Sequence, residues 1–131
     1  PHDYKKYIMP HLKRVFDGLK NLSVPLINFS TGTSSILNLV QESGGDVVSF
    51  DWRIEIDEAR KILGPDQPVQ GNLDPVTLFA PLPVIRERVH DILHRAGPNG
   101  HIFNLGHGIL QHTPVDHVKA VAEMVHEFKY D

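Results

Sequence analysis

Four times along this chain a short apolar run is followed by a stretch whose apolar residues recur at spacings of three and four. That alternation limits the possible folds more than any other feature of the sequence. The runs are residues 24–30 (VPLINFS), 46–51 (DVVSFD), 69–73 (VQGNL) and 101–105 (HIFNL). They are continuous rather than alternating, which predicts buried strands of a parallel sheet covered on both faces. After the first run, residues 34–42 carry Ile36, Leu37, Leu39 and Val40 as a short helix, stopped by Gly44 and Gly45. Residues 54–63 follow the second run as a helix ended by Gly64 and Pro65. Beyond Pro81 and Pro83 a helix reaches Ala96 with Ile85, Val89, Ile92, Leu93 and Ala96 on one face. A last helix is predicted from Thr113 as cap and Pro114 at its first position, through Val118, Val121, Val125 and Phe128. A leading helix spans residues 3–22; Pro10 interrupts it, so its main part starts there.

A helix plus four strand–helix units means an α/β fold. Four units are half of a (β/α)8 TIM barrel, whose usual length is about 250 residues. A small open doubly wound sheet of four strands has the same pattern and stays as the alternative.

The 131 residues suffice for one domain with a core of its own, and 40% apolar with 22% charged content is a globular balance. The absence of cysteine excludes disulfides, thiolate metal sites and thiol nucleophiles within the chain. No apolar run approaches the roughly 18 residues of a membrane span. The net charge of −3 and scattered Lys and Arg leave no basic face for nucleic acid. Cytoplasmic residence is the expectation. The chain opens on Pro1, inside a helical pattern, and reads as a piece of a longer protein.

Function in parallel α/β folds gathers where strands end. Those places are FSTGTSS (29–35), FDWR (50–53), QGNLDP (70–75) and NLGHG (104–108). His107 lies between two glycines, free to project from a sharp turn and donate to a carboxylate or shuttle a proton. A polar turn with a solvated histidine is the plainer reading. A phosphate loop is not indicated, because Gln111 stands where GxGxxG needs glycine. Asp74, followed by Pro75, reads as a helix cap before it reads as a catalytic acid. Gln70 and Asn72 alternate on their strand and would point inward in a closed barrel as neutral hydrogen-bonders. Arg53 is the only Arg or Lys at the four strand ends. It binds an anion or pairs with a neighbouring acid; the sequence leaves both open. His90 and His94 have the spacing of zinc helices, but positions 90–94 read HDILH rather than HExxH, on a face with Arg86, Glu87, Asp91 and Arg95. They are taken as a solvated face, and no metal site is expected. His2, His11, His112, His117 and His126 show no ligand grouping.

QGNLDP, then NLGHG about thirty residues later, then a Pro-Val-Asp-His-Val helix start, resemble the uroporphyrinogen decarboxylase family. The DVVSFDW strand, the YIMPHLK stretch and the spacing between them agree, so the likeness runs the full chain in the family's order. It implies that residues 1–131 are the C-terminal half of a homodimeric (β/α)8 barrel, a carboxy-lyase that needs no cofactor or metal. Such an enzyme removes carbon dioxide from the four acetate side chains of uroporphyrinogen III, leaving the methyls of coproporphyrinogen III in heme biosynthesis. A pyrrole carbon is protonated so that the ring accepts electrons as carbon dioxide leaves, and a further proton completes the methyl. By motif, His107 matches the family's substrate-contacting histidine. Arg53, Gln70 and Asn72 are secondary candidates. The family's N-terminal arginines, its pyrrole-binding aspartate, a tyrosine and a serine match nothing here. The chain alone is therefore expected to be inactive and to cover its open sheet by dimerising or swapping elements. Two other readings remain: a corrinoid-dependent methyltransferase of the same barrel superfamily, whose zinc thiolate this chain lacks, and a non-catalytic α/β interaction module.

Overall fold

The computed structural model describes residues 1–130. Residues Tyr4–Ile8 wind as a wide π turn that runs straight into helix α1 (Met9–Leu19). Pro10 sits in the first turn of α1, where a missing N–H costs nothing. The expected break is thus a change of winding, and the helix stops at Leu19 rather than Leu22. Strand β1 (Ile27–Ser30) leads through a 3-10 turn to helix α2 (Leu37–Glu42), then strand β2 (Val47–Phe50) and helix α3 (Ile56–Leu63). Strand β3 (Val69–Leu73), a 3-10 turn at Pro75–Phe79, helix α4 (Leu82–Ala96), strand β4 (His101–Leu105) and helix α5 (Val115–Glu127) complete the chain. Thr113 does not cap α5. Its hydroxyl donates to the Leu110 carbonyl at 2.7 Å, and Pro114 holds the cap position.

The sheet settles the choice between architectures. Its order is β1-β2-β3-β4, every neighbouring pair parallel. A doubly wound sheet reverses its order once and sends helices to both faces. Here each strand is added beside the last, and the helices pack in series, α1 on α2, α2 on α3, α3 on α4 and α4 on α5. Right-handed crossovers in one direction of travel lay every helix on the same face. That is the build of a (β/α)8 barrel, in half.

The register shows which residues serve which face. Asn28, Val48, Val69 and His101 form one row across the sheet, on the helix side. Val48, Phe50 and Val69 are buried there against Leu37, Val40, Ile56, Ala59 and Leu63. A second cluster joins Leu73, Leu78, Ile85, Val89, Leu93, Val121 and Met124 beneath α4 and α5. Asn28 ties β1 to the end of α2 by donating to the carbonyls of Val40 and Gly44, at 3.1 and 2.9 Å.

The adjoining row, Phe29, Ser49, Gln70 and Ile102, lies on the opposite face. Phe29 is 48% exposed and Ile102 45%. The apolar runs predicted cover on both faces; among the described residues only one is covered. In a half barrel this open face is the inner, concave one. Across it the rings of Phe29, on β1, and His107, just past β4, have centroids 6.4 Å apart.

His101 is half-buried on the helix side. Its Nε2 is 2.8 Å from the Gly71 carbonyl oxygen, which fits a neutral ring donating from that nitrogen. Burial pushes its pKa below the usual 6.5, with Arg60 adding to the effect and the Gly71 bond opposing it. The unfolded chain therefore takes up the proton first on acidification. The His101 contribution to stability is complete above pH 6.5 and is lost as pH falls from there through the lower folded value. Urea denaturation between pH 7.5 and 5, ordinary conditions bracketing that ~6.5 midpoint, is expected to show less acid destabilisation in His101→Asn than in the unaltered protein. Equal slopes would show that His101 is not the group responsible.

Candidate functional site

Because all four strands are parallel, their C-terminal ends meet at one rim of the concave sheet, and all four sequence-predicted segments lie there. The rim is tied together around Asp51. Its side chain is 2% exposed, and it accepts the Gly32 backbone N–H at 2.6 Å, the Arg53 backbone N–H at 3.0 Å and Arg53 Nη1 at 2.6 Å. Burial alone raises the pKa of this carboxyl. The two backbone donors and the guanidinium outweigh it, and the net shift is below the ordinary carboxylate value. Asp51 is thus an anion held by hydrogen bonds, not a proton donor near neutrality.

Arg53 is paired and yet accessible. Its guanidinium lies over the Trp52 ring, 4.6 Å from the centroid, and the side chain is 52% exposed. Of the two open readings, pairing with a neighbouring acid is what the geometry contains; donors not used by Asp51 still face solvent. At the end of β1, Ser30 Oγ and Thr33 Oγ1 are 2.7 Å apart and brace the turn that carries Gly32.

Gln70 and Asn72 part company. Gln70 lies in the concave row and donates to Ser49 Oγ at 3.1 Å. Asn72 is buried, and its amide nitrogen donates to the carbonyls of Asp51 and Ile54 at 3.0 and 2.6 Å. Its donor is spent on holding the β2–α3 loop. Asp74 Oδ1 accepts the Val76 N–H at 2.9 Å, which makes it the cap of the following turn.

His107 is exposed on the β4 end of the rim, edge-on to Phe29. Its setting depends on Gly106, whose N–H donates to the Leu73 carbonyl at 2.7 Å. A Cβ at Gly106 would stand 2.7 Å from the Trp52 backbone nitrogen and 3.1 Å from the Asp51 carbonyl carbon. The NLGHG turn therefore rests directly on the DWR turn across the end of β3, a contact that spacing alone does not reveal. Other histidines have structural places. His90 and His94 lie on a largely exposed face, as expected, and there they pack edge-on against Phe128 in the segment after α5, with centroids 5.1 and 4.8 Å away. His117 Nδ1 meets the Leu78 carbonyl at 2.7 Å. Among the described residues no group of three or more His, Asp or Glu is placed to hold a metal ion, and no helix is long and apolar enough to cross a membrane.

Comparison with known proteins agrees with the motifs. A family model described as uroporphyrinogen decarboxylase (URO-D) matches residues 1–128. The chain is 54% identical over 128 residues to a uroporphyrinogen decarboxylase of Carboxydothermus hydrogenoformans, covering 97% of this chain and 37% of that protein. It is 54% identical over 126 residues to one from Myxococcus xanthus, covering 96% and 36%, and 47% identical over 128 residues to one from Thermus thermophilus, covering 97% and 37%. The chain thus spans a little over a third of the length of these relatives, within their C-terminal half. Among solved structures, a methyltransferase from Methanosarcina mazei superposes with a TM-score of 0.82 over 97% of this chain and 37% of its own, at 18% identity. At that identity the likeness establishes the fold alone.

Gly106→Ala is expected to destabilise the protein by about 1–3 kcal/mol, since backbone on the facing turn must move to admit the methyl. It should also shift the emission of Trp52, the single tryptophan. Gly108→Ala, with nothing within 4 Å of the added carbon, should leave that emission unchanged. Identical spectra for the two variants would refute the contact between the turns.

Proposed function

The chain belongs to the uroporphyrinogen decarboxylase family, and from that premise we propose that residues 1–131 are the C-terminal half of the barrel domain of such an enzyme. The complete protein converts uroporphyrinogen III to coproporphyrinogen III by removing four acetate carboxyls, with no metal or cofactor, and resides in the cytoplasm. The observation that carries this reading is the family match over residues 1–128, which includes NLGHG in sequence with QGNLDP. The position of His107 at the strand-end rim of a concave parallel sheet supports it.

His107 contacts a substrate carboxylate in this reading. Among the described residues no side chain hydrogen-bonds its imidazole, so nothing fixes the ring for directed proton transfer, whereas an accessible N–H on a glycine-flanked turn suits a carboxylate. Arg53 supplies a cation and Gln70 a neutral donor on the inner row. Asn72 acts through the loop it ties.

The open face, with Phe29 and Ile102 about half exposed, calls for a cover. In the complete enzyme four further units supply it, and the enzyme is a homodimer; produced by itself, the present chain dimerises or exchanges elements.

Decarboxylation of uroporphyrinogen by the full-length protein tests the assignment. The unaltered enzyme should yield coproporphyrinogen, His107→Ala should lose about 10- to 100-fold in kcat/KM, and this chain alone should be silent. A full-length protein that leaves uroporphyrinogen intact would overturn the assignment. For the isolated chain, sedimentation should report a mass of at least twice 14.7 kDa; a compact monomer would rule out the self-covering association.

A further inference from the structure

Asp51 touches the ends of all four strands. It accepts from Gly32 after β1 and from Arg53 after β2, its own carbonyl accepts from Asn72 of β3, and its carbonyl carbon abuts Gly106 after β4. A tie between loops needs no charge. A buried carboxylate carries a desolvation cost that a neutral Asn or Ser avoids, and it is offset best by a fixed cationic partner. That partner is Arg53, the one Arg or Lys among the strand-end segments.

We infer that Asp51 is a positioning residue: it and the Trp52 ring hold the Arg53 guanidinium in place, so that the edge it leaves free is already presented to a carboxylate of the substrate. An arginine side chain loses rotamer freedom when it is ordered, and ordering it before the ligand arrives removes that loss from binding. With Nη1 engaged by Asp51 and the plane set by Trp52, Nη2 and Nε remain for a two-point contact. The inference rests on the decarboxylase reading, since it assigns the anion to the substrate.

The test is a double-mutant cycle in the full-length protein with uroporphyrinogen, with thermal melting beside the kinetics. Asp51→Asn and Arg53→Ala should each raise KM about tenfold with kcat within about twofold. The double variant should be no worse in KM than Arg53→Ala, because an unpositioned arginine and an absent one are then equivalent. Additive increases in KM, or an unchanged KM with a lowered melting temperature in Asp51→Asn, would show a purely structural tie and overturn the inference. Should Asp51→Asn not fold, Arg53→Lys carries the test: it keeps the ion pair but has no second edge. KM should then rise about tenfold at unchanged melting temperature, and an unchanged KM overturns the inference. An unaltered protein inert toward uroporphyrinogen sinks the functional reading before any variant is compared.

Discussion

A chain that adds each parallel strand beside the previous one has no choice about where its helices go. The twist of the strands makes each crossover right-handed, and a constant direction of travel puts every helix on one face. The rest of the structure depends on this. One row of strand residues is committed to the helices, as Val48 and Val69 are, and the adjoining row is left for a face with no helices on it. The same constraint brings four strand ends to one rim, so residues as distant in sequence as Gly32 and His107 share a small region.

Electrostatics at that rim follows from its geometry. Four loops leaving a curved sheet converge and must be fastened without occupying the mouth of the barrel. Asp51 does so from below: a buried anion satisfied by backbone N–H groups draws the β1 and β2 loops together, and Asn72 secures the same turn through its carbonyls. Gly106 permits the β4 turn to lie directly on it, where any side chain would meet backbone. The mouth then presents His107, Arg53 and the inner row rather than the groups that fasten it.

Much of this is legible in the sequence, and the remainder has a common physical cause. The four strands are placed within a few residues, because short apolar runs between glycine and proline stops are local signals; 101–105 matches β4 in full. Asp74 followed by Pro75 reads as a cap and is one. Pro10 reads as the start of the main leading helix, and α1 does begin there, with Pro10 in its first turn after the separate Tyr4–Ile8 segment. Strand order is not legible, since order is set by which edges meet. The roles of Asn72, His101, His90 and His94 are hidden for the same reason. Each is fixed by a partner distant in sequence, such as Ile54, Gly71 or Phe128.

The charge balance of the rim bears on how the work of the proposed enzyme is divided. A substrate with eight carboxylates needs several cations, and the strand ends here offer Arg53 alone, with one of its nitrogens already engaged by Asp51. Coulomb attraction from a single half-exposed guanidinium is weak in water. Most of the attraction for a polyanion must therefore be supplied by groups outside these residues, in the proposed scheme by the other half of the barrel. What this segment adds is directional. In the proposed scheme an imidazole beside Phe29 and a guanidinium braced by Asp51 set where particular carboxylates lie, above an inner row in which Phe29 and Ile102 are apolar and Ser49 and Gln70 are polar.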